Sequence, residues 1–152
     1  VDTLKRTAET LLKQCNSGAH REMYSRALDG FDLDGLAGDS LVHYDLSPGI
    51  LRISADGLKA IDWSFACAGA AWLDAALLLP RLIEAGHTPA HAEALMEEVP
   101  AWCAAPGDGI TGLATLWTMF REYKSINGPA ELRGSRAQAA KAGRAWIKHR
   151  TH

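Results

Sequence analysis

Cysteine is scarce and odd in number: Cys15, Cys67 and Cys103 stand far apart in a chain of 152 residues. Three separated thiols do not make a disulfide framework, and they fit a reducing, cytoplasmic compartment. No C-x-x-C spacing occurs, which removes a common pattern of structural zinc. No apolar run approaches the roughly 18–20 residues of a membrane span. No basic start followed by an apolar stretch marks a secretory leader. Neither sign of charge is in excess: 16 Lys and Arg face 18 Asp and Glu, for a formal net charge of -2. Nucleic-acid binding driven by overall charge is therefore not expected. Repeats and low-complexity segments are also missing.

What is present suits a single domain over residues 1–152. A chain of this length buries roughly 70% of the surface its unfolded form exposes. Leu4, Ala8, Leu11, Leu12 and Cys15 recur at helical spacing until Asn16-Ser17-Gly18 stops them. A weaker helix is expected from His20 to Leu28, then an Asp- and Gly-rich loop over residues 29–40. Residues 41–43 are apolar and β-prone. Leu51-Arg52-Ile53 and Leu58-Lys59-Ala60-Ile61 flank an Asp56-Gly57 turn, the pattern of a β-hairpin.

Beyond the hairpin the pattern turns helical. Trp72 to Glu84 is apolar nearly all round, as a buried helix is, and Pro80 should kink or break it. Thr88-Pro89 reads as the cap and first position of a helix reaching about Glu98. Pro100, Pro106, Gly107 and Gly109 bracket an expected loop. Ile110, Leu113, Trp117, Phe120 and Tyr123 form another apolar stripe, and an Ala-rich, basic helix is expected over about 130–149. The fold class is mainly α, an α+β arrangement with one small hairpin.

The chemistry-bearing stretch is "LVHYDLSPGI", residues 41–50. Asp45 lies between a β-prone run and a Pro-Gly turn, and Asp62 follows the second hairpin strand. A hairpin folds its ends together, so both carboxylates should lie near one mouth. Such a pair can serve as a base and a metal ligand. Each acid can equally be a turn cap, and spacing leaves both readings open.

His43-Tyr44-Asp45-Leu46-Ser47-Pro48-Gly49, followed by Ile61-Asp62-Trp63, resembles the aminoglycoside phosphotransferase family, which shares the protein-kinase fold. Ser64-Phe65-Ala66, the run Gly69-Ala70-Ala71-Trp72-Leu73-Asp74 and the stretch from Arg81 to Pro89 extend the resemblance, which covers most of the chain from about residue 35. It implies a small-molecule phosphotransferase that uses Mg and ATP on the hydroxyl of an aminoglycoside-type acceptor. By the same resemblance Asp45 is the catalytic base and Asp62 the Mg²⁺ ligand. His43 braces the loop backbone, and Asp74 is an acid that holds the loop through backbone hydrogen bonds. Asp74 is also favourable simply as an acid at a helix N-terminus.

Two departures bear on activity. Ile50 stands where the resemblance places the Asn that ligates a second metal ion, and an alkyl group offers no lone pair. As a β-branched residue, Ile50 is expected to open the strand Ile50–Ile53 and pack in the core. Before residue 41 there is no Gly-rich loop and no pairing Lys, so the chain resembles the C-terminal lobe with the N-terminal lobe absent. The expectation is a lobe inactive in isolation, with a homodimer contact or a partner protein over the uncovered surface around residues 1–15 and the hairpin. Two alternatives stand beside it: a non-catalytic, pseudokinase-like scaffold, and a natural-product tailoring enzyme using Asp45 without ATP.

Other features are read plainly. The five Trp residues are mostly core anchors. His87 and His91, at i and i+4, suggest a solvated face because no third ligand accompanies them. The basic residues Arg133, Arg136, Lys141, Arg144, Lys148 and Arg150 read as a solvated helix face, with docking of an anion as the alternative.

Overall fold

The computed structural model describes residues 6, 9–11, 13 and 18–152. Most of the expected first helix (Leu4, Ala8, Leu12 and Cys15) lies outside the described residues, although Leu11 is helical and buried. The chain then forms α1 (Gly18–Ala27) and a single 3-10 turn (Leu33–Leu36), whose entry is capped by the Asp32 carboxylate accepting the Asp34 N–H at 3.0 Å.

Four short strands follow, in two separate two-stranded antiparallel sheets. Strand β1 (Ser40–Val42) pairs with β4 (Cys67–Gly69), with Val42 opposite Cys67. Strands β2 (Leu51–Ser54) and β3 (Gly57–Ala60) form the expected hairpin, with Leu51 opposite Ala60. Its tip is Ala55-Asp56, and Gly57 opens β3 with φ +104°, a conformation that costs a residue without Cβ little. The hairpin is nested inside the β1–β4 pair. That outer pair closes residues 43–66 into one excursion from the helical body.

Strand β4 was not expected. Its residues are small, and the reason is steric: a Cβ on Gly69 would stand 2.7 Å from Leu73 Cδ1 and 3.2 Å from Val42 Cγ2. Close approach to the helical body, not strand propensity, selects this stretch.

Helix α2 (Leu73–Glu84) runs through Pro80 without the expected break. Leu73, Ala76, Leu77, Leu79 and Pro80 are all buried, so packing offsets the lost intrahelical hydrogen bond. Gly86, at φ +108°, turns the chain out, and the His87 N–H returns to the Leu82 carbonyl at 3.1 Å. Helix α3 (Pro89–Met96) starts as expected, with the Thr88 hydroxyl accepting the His91 N–H at 3.2 Å. The expected loop at 100–109 is instead largely helical. Pro100 opens α4 (Pro100–Cys103), and Pro106 immediately precedes α5 (Gly107–Asn127). Both prolines sit at helix starts, where a missing N–H costs nothing. Helix α6 (Ala130–Thr151) completes the fold.

The core lies between α2, α5 and α6. Trp72, Trp102, Trp117 and Trp146 are buried in it, whereas Trp63 is half exposed on the excursion. The small residues of α6 permit close packing on α5: a Cβ on Gly143 would meet Thr118 Oγ1 at 2.0 Å. Among the described residues, the buried side-chain polar atoms are paired except Arg121 Nε. Thr118 donates to the Ala114 carbonyl, and Trp146 Nε1 donates to Glu93 at 2.7 Å. The basic face of α6 is only partly solvated, because Arg144 pairs with Glu122 at 3.1 Å and Arg150 with Glu93 at 2.7 Å.

Candidate active site

The stretch after β1 is held from below by the first turn of α2. Asp74 accepts the His43 N–H on one carboxylate oxygen at 2.7 Å and the Tyr44 N–H on the other at 2.9 Å. Both oxygens are therefore used as a clamp on two consecutive amides. Asp74 is half-buried and the His43 side chain is only 1% exposed, so these bonds face little competition from water.

His43 extends the linkage to the far end of the excursion. Its Nε2 lies 2.9 Å from the Ile61 carbonyl, and its Nδ1 accepts the Asp45 N–H at 3.4 Å. An accepting Nδ1 assigns the proton to Nε2, which then donates to Ile61. The imidazole also lies against the Trp63 ring, with centroids 4.6 Å apart. One side chain thus touches the residues on both sides of Asp62 and the backbone of Asp45.

Asp62 is exposed, and its Oδ1 accepts both the Ser64 hydroxyl at 2.6 Å and the Ser64 N–H at 3.4 Å. The two Ser64 hydrogen bonds hold its carboxyl below the ordinary value of 3.8, with a smaller contribution from His43. Tyr44 and Asp62 have φ of 71° and 57°, the two positive values at non-glycine positions among the described residues. Burial raises the Tyr44 hydroxyl above its usual value, with Cys67 adding to the effect.

Asp45 is half-buried, and among the described residues its carboxylate makes no hydrogen bond or ion pair. It opens onto a cavity of about 680 Å³ between the loop, α2, α5 and α6. Trp117 lies in the cavity wall with two guanidinium groups over its ring, Arg81 at 5.4 Å and Arg121 at 4.9 Å. Arg136 of α6 and Phe65 of the excursion contribute to the same wall.

Position 50 differs from expectation. Ile50 lies in the turn before β2, half-buried and outside the hydrophobic core. Its N–H donates to the Ser47 carbonyl at 3.1 Å, and its carbonyl accepts the Ile61 N–H at 3.0 Å. The residue extends the hairpin ladder to the neighbour of Asp62, and its side chain carries no ligand atom.

Sequence reasoning missed the cavity wall. Trp117 and Phe120 do pack in and against the core as their stripe implies, but their part in a wall was not foreseen, and Arg136 reads from sequence as a solvated face with anion docking as the alternative. The available signal was the i, i+4 pairing of Trp117 with Arg121 on α5, which stacks a cation on an aromatic ring. His87 and His91 hydrogen-bond to each other at 3.2 Å, and no group of three metal-capable side chains occurs among the described residues. No described helix is long and apolar enough to cross a membrane. Compared with family models, with curated proteins and with solved structures, the chain finds no match.

Proposed function

We propose that this chain is the catalytic lobe of a kinase-like phosphotransferase that transfers a phosphoryl group from a nucleotide to a hydroxyl. The supporting observation is the Asp74 clamp on the His43 and Tyr44 amides, the role that the resemblance assigns to this acid. Asp45, uncommitted and facing a cavity, receives the acceptor proton. The freed oxygen forms the new bond to phosphorus as the bond to the nucleotide diphosphate breaks. His43 and Asp74 act as positioning residues for that carboxylate.

Asp62 fits a Mg²⁺ ion that arrives with nucleotide phosphates. Ser64 engages Oδ1 alone, which leaves Oδ2 for the ion. Magnesium is commonly held by one or two carboxylates plus water and phosphate oxygens. The ion would neutralise phosphate charge at that position. With Ile at position 50, the side chains provide for a single metal ion. The 152 residues contain no Gly-rich loop to cradle phosphates, so the expected affinity of this chain for Mg·ATP is very weak.

Paramagnetic broadening detects such weak binding. Mn²⁺·ATP added to the labelled chain should selectively broaden the amide signals of Ser64 and Asp45, and Asp62→Asn should remove the effect. Uniform broadening, or none, refutes the assignment.

A second reading has its own support. Ile53 and Leu58 are direct cross-strand partners on the hairpin, yet they are 89% and 66% exposed. An apolar pair displayed to water suits a docking surface, whether for a second copy or a partner protein. Sedimentation of the chain and of an Ile53→Thr/Leu58→Thr variant tests it: a monomer at all concentrations for the parent chain counts against self-association.

A further inference from the structure

The cavity beside Asp45 has a charge and shape that specify what it accepts. Three arginines, Arg81, Arg121 and Arg136, line it against two carboxylates, Asp45 and Glu84. Glu84 is taken by Arg81 at 3.0 Å. Arg121 and Arg136 have no ion pair or side-chain hydrogen bond among the described residues, and Arg121 Nε is buried without any partner. Such a guanidinium is under-satisfied, and a partner supplied from outside would relieve it. Its position is already set by the rings beneath it, Trp117 at 4.9 Å and Phe120 at 6.0 Å, so little further ordering is needed when an anion arrives.

We propose that this cavity binds a hydroxylated small molecule with an apolar or aromatic body and an anionic group, held by Arg121 and Arg136 with its hydroxyl toward Asp45. The word acceptor for that molecule rests on the phosphotransferase reading; the charge class does not. The volume of about 680 Å³ suits a molecule well beyond a bare inorganic ion. Phe65, Trp117 and Phe120 supply apolar contact. A polyamine of the aminoglycoside type would bring like charge beside two unpaired guanidiniums and lose hydration without compensation. A carboxylate or a phosphate monoester meets the same two groups with charge-assisted hydrogen bonds.

Four probes sharing one ring and one hydroxyl distinguish the cases: 4-(hydroxymethyl)benzoate, 4-(hydroxymethyl)phenyl phosphate, 1,4-benzenedimethanol and 4-(hydroxymethyl)benzylamine. Each is titrated into the full chain while the Trp117 indole N–H is followed by NMR. The expected order is anion over neutral diol over amine, and the ratio between the two acids separates carboxylate from phosphate. Arg136→Gln and Arg121→Gln should each weaken acid binding about tenfold, the loss of one charged hydrogen bond, and leave the diol unchanged. Arg136 stacks on no ring in the wall, so its variant reports on binding even where Arg121→Gln perturbs packing. Amine binding equal to acid binding overturns the proposal, as does an indole signal that no acid moves, or acid affinity indifferent to both substitutions. Selective Mn²⁺·ATP broadening at Asp62 is read separately. Its absence alongside acid binding would remove the phosphotransferase reading and keep the anion site.

Discussion

Replacing Asp74 with Ala tests the clamp most directly. The substitution removes both acceptors at once, from the His43 N–H at 2.7 Å and the Tyr44 N–H at 2.9 Å. A hydrogen bond to a charged group contributes about 1.5–3 kcal/mol, and an orphaned buried donor costs a similar amount. His43 is buried, so its amide loses close to the full value; Tyr44 is half-buried and water recovers part of the second. The expected loss is therefore about 3–4 kcal/mol, or a drop in Tm of roughly 10 °C for a domain of this size. Were Asp74 only a favourable charge at the start of α2, the loss would be about 0.3–1 kcal/mol, so the magnitude separates the two roles. Asp74→Asn keeps one acceptor and turns a donor toward the other amide, and should fall between at about 2 kcal/mol. Urea unfolding gives the energies, and amide hydrogen exchange at His43 and Tyr44 locates them. A loss under about 1 kcal/mol for Asp74→Ala, with exchange at both amides unchanged, refutes the clamp.

The other predictions are smaller in scope. Ser64→Ala should raise the Asp62 titration midpoint part of the way toward 3.8, because it removes the hydroxyl bond, the larger cause of the depression, and keeps the backbone N–H bond; carboxyl NMR reads it, and an unmoved midpoint assigns the depression elsewhere. In the parent chain the stabilisation from Asp62 is complete above pH 3.8 and fades as pH falls through its lower folded value. Ile50→Asn should cost under about 1 kcal/mol, since the residue is half-buried, and should not by itself confer tight Mg·ATP binding measured by calorimetry. Gly143→Ala should cost about 2–3 kcal/mol by driving a methyl into Thr118, and Thr118→Ala should recover much of that in a double-mutant cycle.

The parts of the fold legible in the sequence are those set by local chemistry. The hairpin is written in Ser54-Ala55-Asp56-Gly57 between apolar runs, and α3 in Thr88-Pro89, because turn geometry and capping depend on adjacent residues. Strand β4 was not legible, since Cys67-Ala68-Gly69 has no strand bias and pairs with β1 more than 20 residues away. Pro100 and Pro106 misled because proline marks loops and helix starts alike. In the site, His43, Asp45, Asp62 and Asp74 are singled out by the resemblance, whereas spacing alone leaves Asp45 and Asp62 open as turn caps. The cavity was legible from neither: Arg81, Arg121 and Arg136 come from three helices, and only their packing brings them to one wall. Ile50 was misjudged for a related reason. Its branched side chain suggested a buried strand, but the backbone turns at residues 48–50 before β2 begins.

The backbone of the excursion weighs between the catalytic and scaffold readings. Holding a non-glycine residue in the left-handed region costs of order 1–3 kcal/mol, and here it occurs at Tyr44, just before Asp45, and at Asp62. Each is fixed by a carboxylate: Asp74 takes the Tyr44 amide, and Asp62 takes both groups of Ser64. His43 joins the two bends, bonding to the Ile61 carbonyl before one and the Asp45 amide after the other. A docking hairpin needs only its exposed apolar pair and gains nothing from strained turns at its base. Strain at these two positions is accounted for if the placement of the Asp45 and Asp62 carboxylates is what the excursion is built to maintain. On that argument the apolar hairpin is the support for a partner, and the braced loop beneath it is the support for chemistry.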